Sequence, residues 1–163
     1  QYTAMSAEDL ASVIAYLDTV PPVDRELAPT ALGPVGRALV ATGALPLPAY
    51  SVARTRAESH PTPAPNAAYG AYVVRVSACA GCHGADFGGH EVNPNEPIAP
   101  DLTPSGAASW SRDELAHALR EGVRPDGRHL DDFMPYRVYA GLTDLEIDAI
   151  HAFLREQPAA HPE

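Results

Sequence analysis

The stretch Cys79-Ala80-Gly81-Cys82-His83 decides how this chain is interpreted. A C-x-x-C-H sequence is typical of covalent attachment of a c-type haem. Two thiols that add to the vinyl groups of one porphyrin must face the same edge of the ring, and an i, i+3 spacing on a helical turn places them there. His83 follows directly and can bind the iron as its proximal ligand. We therefore predict one covalent haem c, attached through Cys79 and Cys82 and ligated by His83.

Three other interpretations of this stretch were weighed. A zinc site needs four Cys or His ligands, usually as two separated pairs, and the chain has no second cysteine pair. A thioredoxin-type redox motif follows a strand in a βαβ unit, and no such alternation surrounds Cys79. The third alternative is a chance pair of cysteines beside a surface histidine. The histidine directly after the second cysteine favours haem.

A sixth iron ligand, or an open position, separates electron transfer from gas or peroxide chemistry. Met134 is the best candidate, because it lies 51 residues after His83 and Pro135 holds its segment away from helix geometry. A thioether ligand stabilises ferrous iron. The rival ligand is His129, and the only other methionine, Met5, lies near the N-terminus. The remaining histidines are predicted to be surface groups: His60, His90, His117, His151 and His161.

Several further motifs follow one another in the second half of the chain. In order, they are Tyr69-Gly70-Ala71-Tyr72, Cys79 to Gly84, Gly88-Gly89, Ala99 to Pro104, Trp110-Ser111, Leu119 to Arg128, Met134-Pro135-Tyr136 and Leu142-Thr143-Asp144. With them, the chain from Gly70 onward resembles class I c-type cytochromes. It is most similar to the cytochrome c subunits, often multi-haem, of membrane-bound alcohol, aldehyde and sugar-acid dehydrogenases. Tyr136 stands where that family often has Trp.

The resemblance implies a class I cytochrome c fold around one covalent haem, which relays electrons between redox partners of a membrane-associated respiratory or photosynthetic chain. It implies that the Pro100 carbonyl accepts a hydrogen bond from the His83 ring. It also implies that Trp110 and Arg124 lie near a haem propionate. The alternatives are a haem subunit of a dehydrogenase or peroxidase with a displaceable sixth ligand, and a gas-binding domain.

Helix signals are clear in this part of the chain. Apolar residues recur at helical spacing over residues 67–76. Capping boxes begin at Ser111 and Thr143, and Gly122 and Pro158 mark the ends of the two helices that follow. No segment alternates with period 2, so the sequence predicts an all-α class, preceded by an N-terminal helix and a Pro-rich extended connector.

The N-terminus repeats the last predicted helix. Residues 2–17 align with residues 139–154 at a constant offset of 137, so that Ser6 matches Thr143 and Leu17 matches Leu154. We therefore expect residues 1–20 to be the closing helix of a preceding cytochrome c domain, and the chain to be a fragment of a multi-haem protein.

Nine of the seventeen prolines lie in residues 21–65, which predicts an extended connector with room for one short helix near residues 36–43. A freely mobile linker is the alternative. Residues 66–163 form the predicted mono-haem domain.

Charge and hydropathy limit the partners. The net charge is −10, and all eleven basic residues are arginines, so nucleic acid and anionic lipid are excluded as expected partners. No apolar run reaches the roughly 20 residues of a membrane span.

Covalent haem attachment occurs outside the cytoplasm, so we expect a periplasmic protein, or one on the outer face of the cytoplasmic membrane, whose sequence begins after any export signal. The expected partners are redox proteins or other haem domains of a larger assembly, with a basic or neutral docking face.

Overall fold

The structure is a computed structural model that describes residues 3, 5–29, 31–45, 61–91 and 97–160. The chain divides into two compact units between residues 60 and 61. The described residues contain seven α-helices: α1 (Ala7–Leu17), α2 (Pro34–Ala41), α3 (Ala67–Val76), α4 (Ala80–His83), α5 (Arg112–Glu121), α6 (Tyr136–Tyr139) and α7 (Asp144–Arg155). Part of the predicted connector, residues 46–60, lies outside the described residues, as do Tyr2, His60 and His161.

The first unit consists of α1, α2 and irregular segments. The Ser6 side chain begins α1 by accepting a hydrogen bond from the Asp9 backbone N–H at 3.1 Å. The described residues 21–29 and 31–33 form no helix or strand, and Pro34 is the first residue of α2. Proline suits that position because its missing N–H has no partner in the first turn. The short helix is therefore present two residues earlier than predicted.

The second unit is built on α3 and α7. The Asn66 side chain caps α3, and Thr143 and Glu146 form the predicted capping box at the start of α7. The helices cross where Gly70 faces the carbonyl of Ala149, so closely that a side chain at position 70 would collide with it. The resulting core contains buried side chains from both helices: Tyr69, Tyr72, Val73, Val74, Ile147, Ile150 and Leu154.

The helix α5 packs beside this pair. It begins with the predicted Ser111–Glu114 capping box and ends at Gly122, whose φ is +71°. The Arg112 guanidinium contacts the Asp148 and Asp144 carboxylates at 2.6 and 2.7 Å, and so connects α5 to α7. A short 3-10 helix, Ala107–Ser109, precedes α5.

Two short strands are present in addition to the predicted helices, as are α6 and the 3-10 helix. Strand β1 (His90–Glu91) pairs antiparallel with β2 (Ile98–Ala99), with His90 opposite Ala99. Each strand has two residues, which is too short for period-2 alternation to appear in the sequence. Within the described ranges, no helix has the length and apolar character needed to cross a membrane.

Candidate haem site

The cysteines are presented by a turn that follows α3 directly. Ala78 has a φ of +59°, its N–H donates to the Arg75 carbonyl, and the Cys79 N–H donates to the Val74 carbonyl at 3.2 Å. These bonds form a Schellman motif, with alanine at the left-handed position where glycine is usual. The motif ends α3, and α4 begins two residues after Ala78.

The two cysteines and the histidine share one helical turn. The Cys79 carbonyl accepts hydrogen bonds from the backbone N–H groups of Cys82 and His83, at 3.3 and 3.0 Å. Both thiols are free and half-buried. Since residues three apart lie on one face of a helix, the two sulfurs can reach the same edge of a porphyrin.

The Cys79 thiol differs from the activated thiol of a redox motif. Burial, the largest cause, raises its pKa to about 11, because a thiolate is poorly solvated there. Dithiol redox enzymes need a depressed thiol pKa. The described residues also contain no group of three or more Cys, His, Asp or Glu side chains that could hold a metal ion. The raised thiol pKa disfavours the thioredoxin interpretation.

His83 is oriented as an iron ligand requires. Its side chain is 5% exposed, and its Nδ1 lies 2.8 Å from the Pro100 carbonyl oxygen. A carbonyl can only accept, so Nδ1 carries the proton and Nε2 keeps the lone pair that binds iron. Burial lowers the pKa of His83 and favours the neutral ring, while the bond to Pro100 acts in the opposite direction.

Gly89 and Thr103 shape the backbone on either side of Pro100. A side chain at Gly89, whose φ is +80°, would lie 2.8 Å from the carbonyl carbon of Pro100, so only glycine allows this approach. Thr103 is fully buried; its N–H donates to Asp101 at 2.6 Å, and its hydroxyl accepts from the Ala160 N–H at 3.0 Å. The sequence analysis assigned no role to Thr103.

Met134 is half-buried on an otherwise exposed loop that leads into α6. Its N–H donates to the Asp131 carbonyl at 2.9 Å, and its own carbonyl accepts from the Tyr136 N–H at 2.8 Å. The Tyr139 hydroxyl, at the other end of α6, donates to the Ser77 carbonyl at 2.9 Å. The structure therefore brings the helix that follows Met134 against the turn that precedes Cys79.

His129, the rival ligand, is exposed. Its backbone pairs with Val123 in an isolated antiparallel bridge, and the Leu130 N–H donates to the Gly122 carbonyl at 2.7 Å. These bonds close a hairpin-like loop around a turn at residues 125–128. The half-buried Met134 is thus better placed than His129 to serve as an interior ligand.

Trp110 and Arg124 have other contacts in this structure. Trp110 is half-buried, and its backbone carbonyl lies 2.9 Å from Nε2 of His151. The Arg124 guanidinium lies 3.9 Å from the Asp126 carboxylate. Neither contact places a side chain against the turn from Cys79 to His83, so their propionate roles stay predictions.

The donors present fit a haem. Two thiols on one turn can form thioethers, a neutral imidazole has its Nε2 lone pair directed away from Pro100, and a thioether lies on a loop anchored beside that turn. One nitrogen and one sulfur from the protein suit an iron whose other four ligands come from a macrocycle. These elements define the class of a c-type cytochrome.

Comparisons with known proteins agree with this class. The family model described as Cytochrome c matches residues 67–158, so the chain belongs to the cytochrome c family, whose domains bind haem c covalently. The chain is 32% identical over 111 residues to the fructose dehydrogenase cytochrome subunit of Gluconobacter japonicus, covering 59% of this chain and 23% of that protein.

Two further relatives are also dehydrogenase subunits. The cytochrome c subunit of alcohol dehydrogenase (quinone) from Gluconobacter oxydans (strain 621H) is 35% identical over 96 residues, covering 52% of this chain and 20% of the relative. The gluconate 2-dehydrogenase cytochrome c subunit of Pantoea cypripedii is 31% identical over 96 residues, covering 52% and 21%. The chain spans between a fifth and a quarter of these proteins. The predicted family and the predicted all-α fold are confirmed.

Proposed function

We propose that this chain is an electron carrier whose haem iron is ligated by His83 and Met134. Bound haem supplies reversible one-electron chemistry at its iron. The observation that carries the proposal is the 2.8 Å contact between His83 Nδ1 and the Pro100 carbonyl, since it leaves Nε2 available on the turn that holds both cysteines. His83 and Met134 would hold the iron and leave it no open position for a substrate, so the proposed role is that of a carrier and not of an enzyme.

Each residue has a defined task in this proposal. Cys79 and Cys82 fix the porphyrin edge near the surface, where the exposed residues Ala80 and Gly81 put no charge between the haem and a docked protein. The Pro100 carbonyl keeps the His83 ring in one tautomer and raises its basicity. Met134 supplies a soft sulfur that favours ferrous iron and raises the potential.

The proposed partners are redox proteins of a dehydrogenase-type assembly outside the cytoplasm. The named relatives are cytochrome subunits of fructose, alcohol and gluconate dehydrogenases, and this supports the proposed partner class. The net charge of −10 and the absence of lysine support a partner with a basic or neutral docking face. The proposed series of electron carriers is membrane-associated, and the expected location of this protein is the periplasm or the outer face of the cytoplasmic membrane.

The sulfur ligand can be tested optically. The oxidised protein should show the weak far-red charge-transfer band of methionine bound to ferric haem. Met134→Ala should abolish that band and let carbon monoxide bind the reduced form. Met5→Ala removes the other methionine and is the matched control, and His129→Ala removes the rival ligand; both should keep the band. If the native reduced protein binds carbon monoxide readily, the proposed role as an electron carrier is contradicted, and a haem subunit with a displaceable sixth ligand is favoured.

We also propose that residues 1–20 are the closing helix of a further cytochrome c domain, joined through the connector 21–65 to the haem domain 66–163. The cap residues support the repeat, because Ser6 and Thr143 begin their helices at the same offset of 137 and accept from Asp9 and Glu146 at matching positions. The α7 residues that correspond to Leu10 and Leu17 are buried, whereas Leu10 and Leu17 are 41% and 59% exposed. Among the described residues, no helix covers their apolar face as α3 covers that of α7.

A pyridine haemochrome assay tests this domain arrangement. Applied to the full-length polypeptide in its native complex, it should count more than one haem per chain. One haem per full-length chain would contradict the repeat. The haem count does not test the proposed iron ligands of the described haem domain. Either proposal can therefore be contradicted without the other.

A further inference from the structure

The carbonyl of Ser77 accepts a hydrogen bond from a distant part of the chain. Ser77 is the cap residue at the end of α3, where carbonyl groups have no further helical N–H to accept from. The Schellman bonds to Val74 and Arg75 satisfy two of these carbonyls. The Tyr139 hydroxyl, 62 residues further along the chain, donates to the carbonyl of Ser77 at 2.9 Å. The donor belongs to α6, so this bond joins α6 to the attachment turn.

The Tyr139 side chain lies at the attachment turn through its bond to Ser77. Burial is the main cause that raises the pKa of its phenol. Tyr139 is half-buried and remains a neutral donor.

The short helix α6 has one further attachment. A side chain at Gly122 would lie 2.7 Å from the Tyr136 ring, so this ring covers the end of α5. Between the two tyrosines, Arg137 and Val138 point to solvent, and Val138 is 77% exposed. The helix is therefore held by its first and last residues, and Met134 lies two residues before the first.

We propose that Tyr139 is a positioning residue that keeps the Met134 loop closed over the haem, through its hydrogen bond to the Ser77 carbonyl. The inference rests on the proposed ligation by Met134. The attachment turn moves with the haem, because the cysteines bind it covalently. A hydrogen bond from α6 to this turn therefore keeps the Met134 loop at a fixed position relative to the porphyrin. When the bond is absent, the loop opens more often and an external ligand reaches the iron sooner.

The test compares single variants of the haem-loaded protein. The measured quantity is the rate at which saturating cyanide replaces the sulfur on ferric haem, because that rate reports loop opening. Tyr139→Phe keeps the ring and removes the hydrogen bond, so the rate should rise about three- to tenfold, the equivalent of one ordinary hydrogen bond. The far-red band should also disappear at a lower temperature.

Two controls separate positioning from general stability. Tyr136→Phe removes the other hydroxyl of α6, which has no hydrogen bond among the described residues, and should change the rate by less than about twofold. Ile150→Val removes a methyl group from the buried contact of α3 with α7 and lowers global stability. It should leave the cyanide rate unchanged.

The outcomes distinguish this inference from the function on which it rests. A wild-type protein without the far-red band would disprove methionine ligation itself. With the band present, a Tyr139→Phe rate within twofold of wild type would overturn the role of Tyr139. A Tyr139→Phe protein that no longer folds around its haem would overturn it too, because the residue would then be a general structural one.

Discussion

Ala78 shows how one residue can shape the attachment turn. It occupies the left-handed region at φ +59°, where an L side chain brings its Cβ close to the following carbonyl. The conformation persists because the flanking hydrogen bonds from Ala78 and Cys79 back to Arg75 and Val74 determine it. The turn therefore ends α3 and starts α4 without an intervening loop.

Relief of this strain is measurable. Ala78→Gly should leave the free energy of unfolding unchanged or raise it by up to about 1 kcal/mol. The relief of backbone strain offsets the entropy cost of glycine in the unfolded chain. Ala71→Gly, inside α3, is the matched control and should destabilise the protein by about 1 kcal/mol. Denaturant unfolding of both haem-loaded variants gives the comparison. Equal destabilisation by the two variants would show that Ala78 is unstrained.

The helices α5 and α7 are joined by an ion-pair network at the element scale. The Asp144 carboxylate accepts from Arg112 at 2.7 Å and from Arg120 at 3.0 Å. These hydrogen bonds, that from Arg112 first, hold the pKa of Asp144 below its usual value. Because the folded pKa is depressed, the network stabilises the protein above the unfolded pKa of Asp144, and this contribution is lost as the pH falls through the folded pKa.

Acid titration of stability should reveal this network. Asp144→Asn should lower the Tm at pH 7 by about 2–5 °C, and the difference from wild type should shrink as the pH falls below the unfolded pKa of an aspartate and through the depressed folded pKa of Asp144. Asp113→Asn is the comparison variant, since Asp113 also lies in the first turn of a helix but is 91% exposed and meets Arg112 only at 3.3 Å, so it should lower the Tm less. Calorimetry between pH 2 and pH 7 measures both. A difference that persists at the lowest pH would show that charge is not its cause.

At the scale of the whole molecule, we expect the haem to complete the core. Six of the fifteen buried apolar residues in the described part of the chain are alanines, which bury little surface each. A domain of this size is only marginally stable on its own side chains. A porphyrin enclosed by the second unit adds apolar surface that the polypeptide lacks.

Removal of the haem should therefore weaken the fold. A Cys79→Ala/Cys82→Ala double variant, isolated without haem, should lose most of its cooperative denaturant transition and part of its helical circular dichroism signal. The haem-loaded wild type is the reference. An apoprotein that unfolds cooperatively at the same denaturant concentration would show that the side chains suffice.

The sequence alone determined the local features of this cytochrome. The cysteine spacing, the capping boxes at Ser111 and Thr143 and the helix over residues 67–76 depend on residues within one or two turns of each other. Such signals can be read from the chain because the interactions behind them are local.

Only the tertiary structure decided how these local pieces meet. The contact of Tyr139 with Ser77 joins residues 62 positions apart, and that of Arg112 with Asp144 joins residues 32 apart. The helix α6 and the two-residue strands are too short to produce a periodic pattern. Their positions depend on the crossing of α3 and α7, and on the glycines at 70, 89 and 122 that permit close approach. No local pattern encodes such pairings, because the interaction energy arises only when distant segments come into contact.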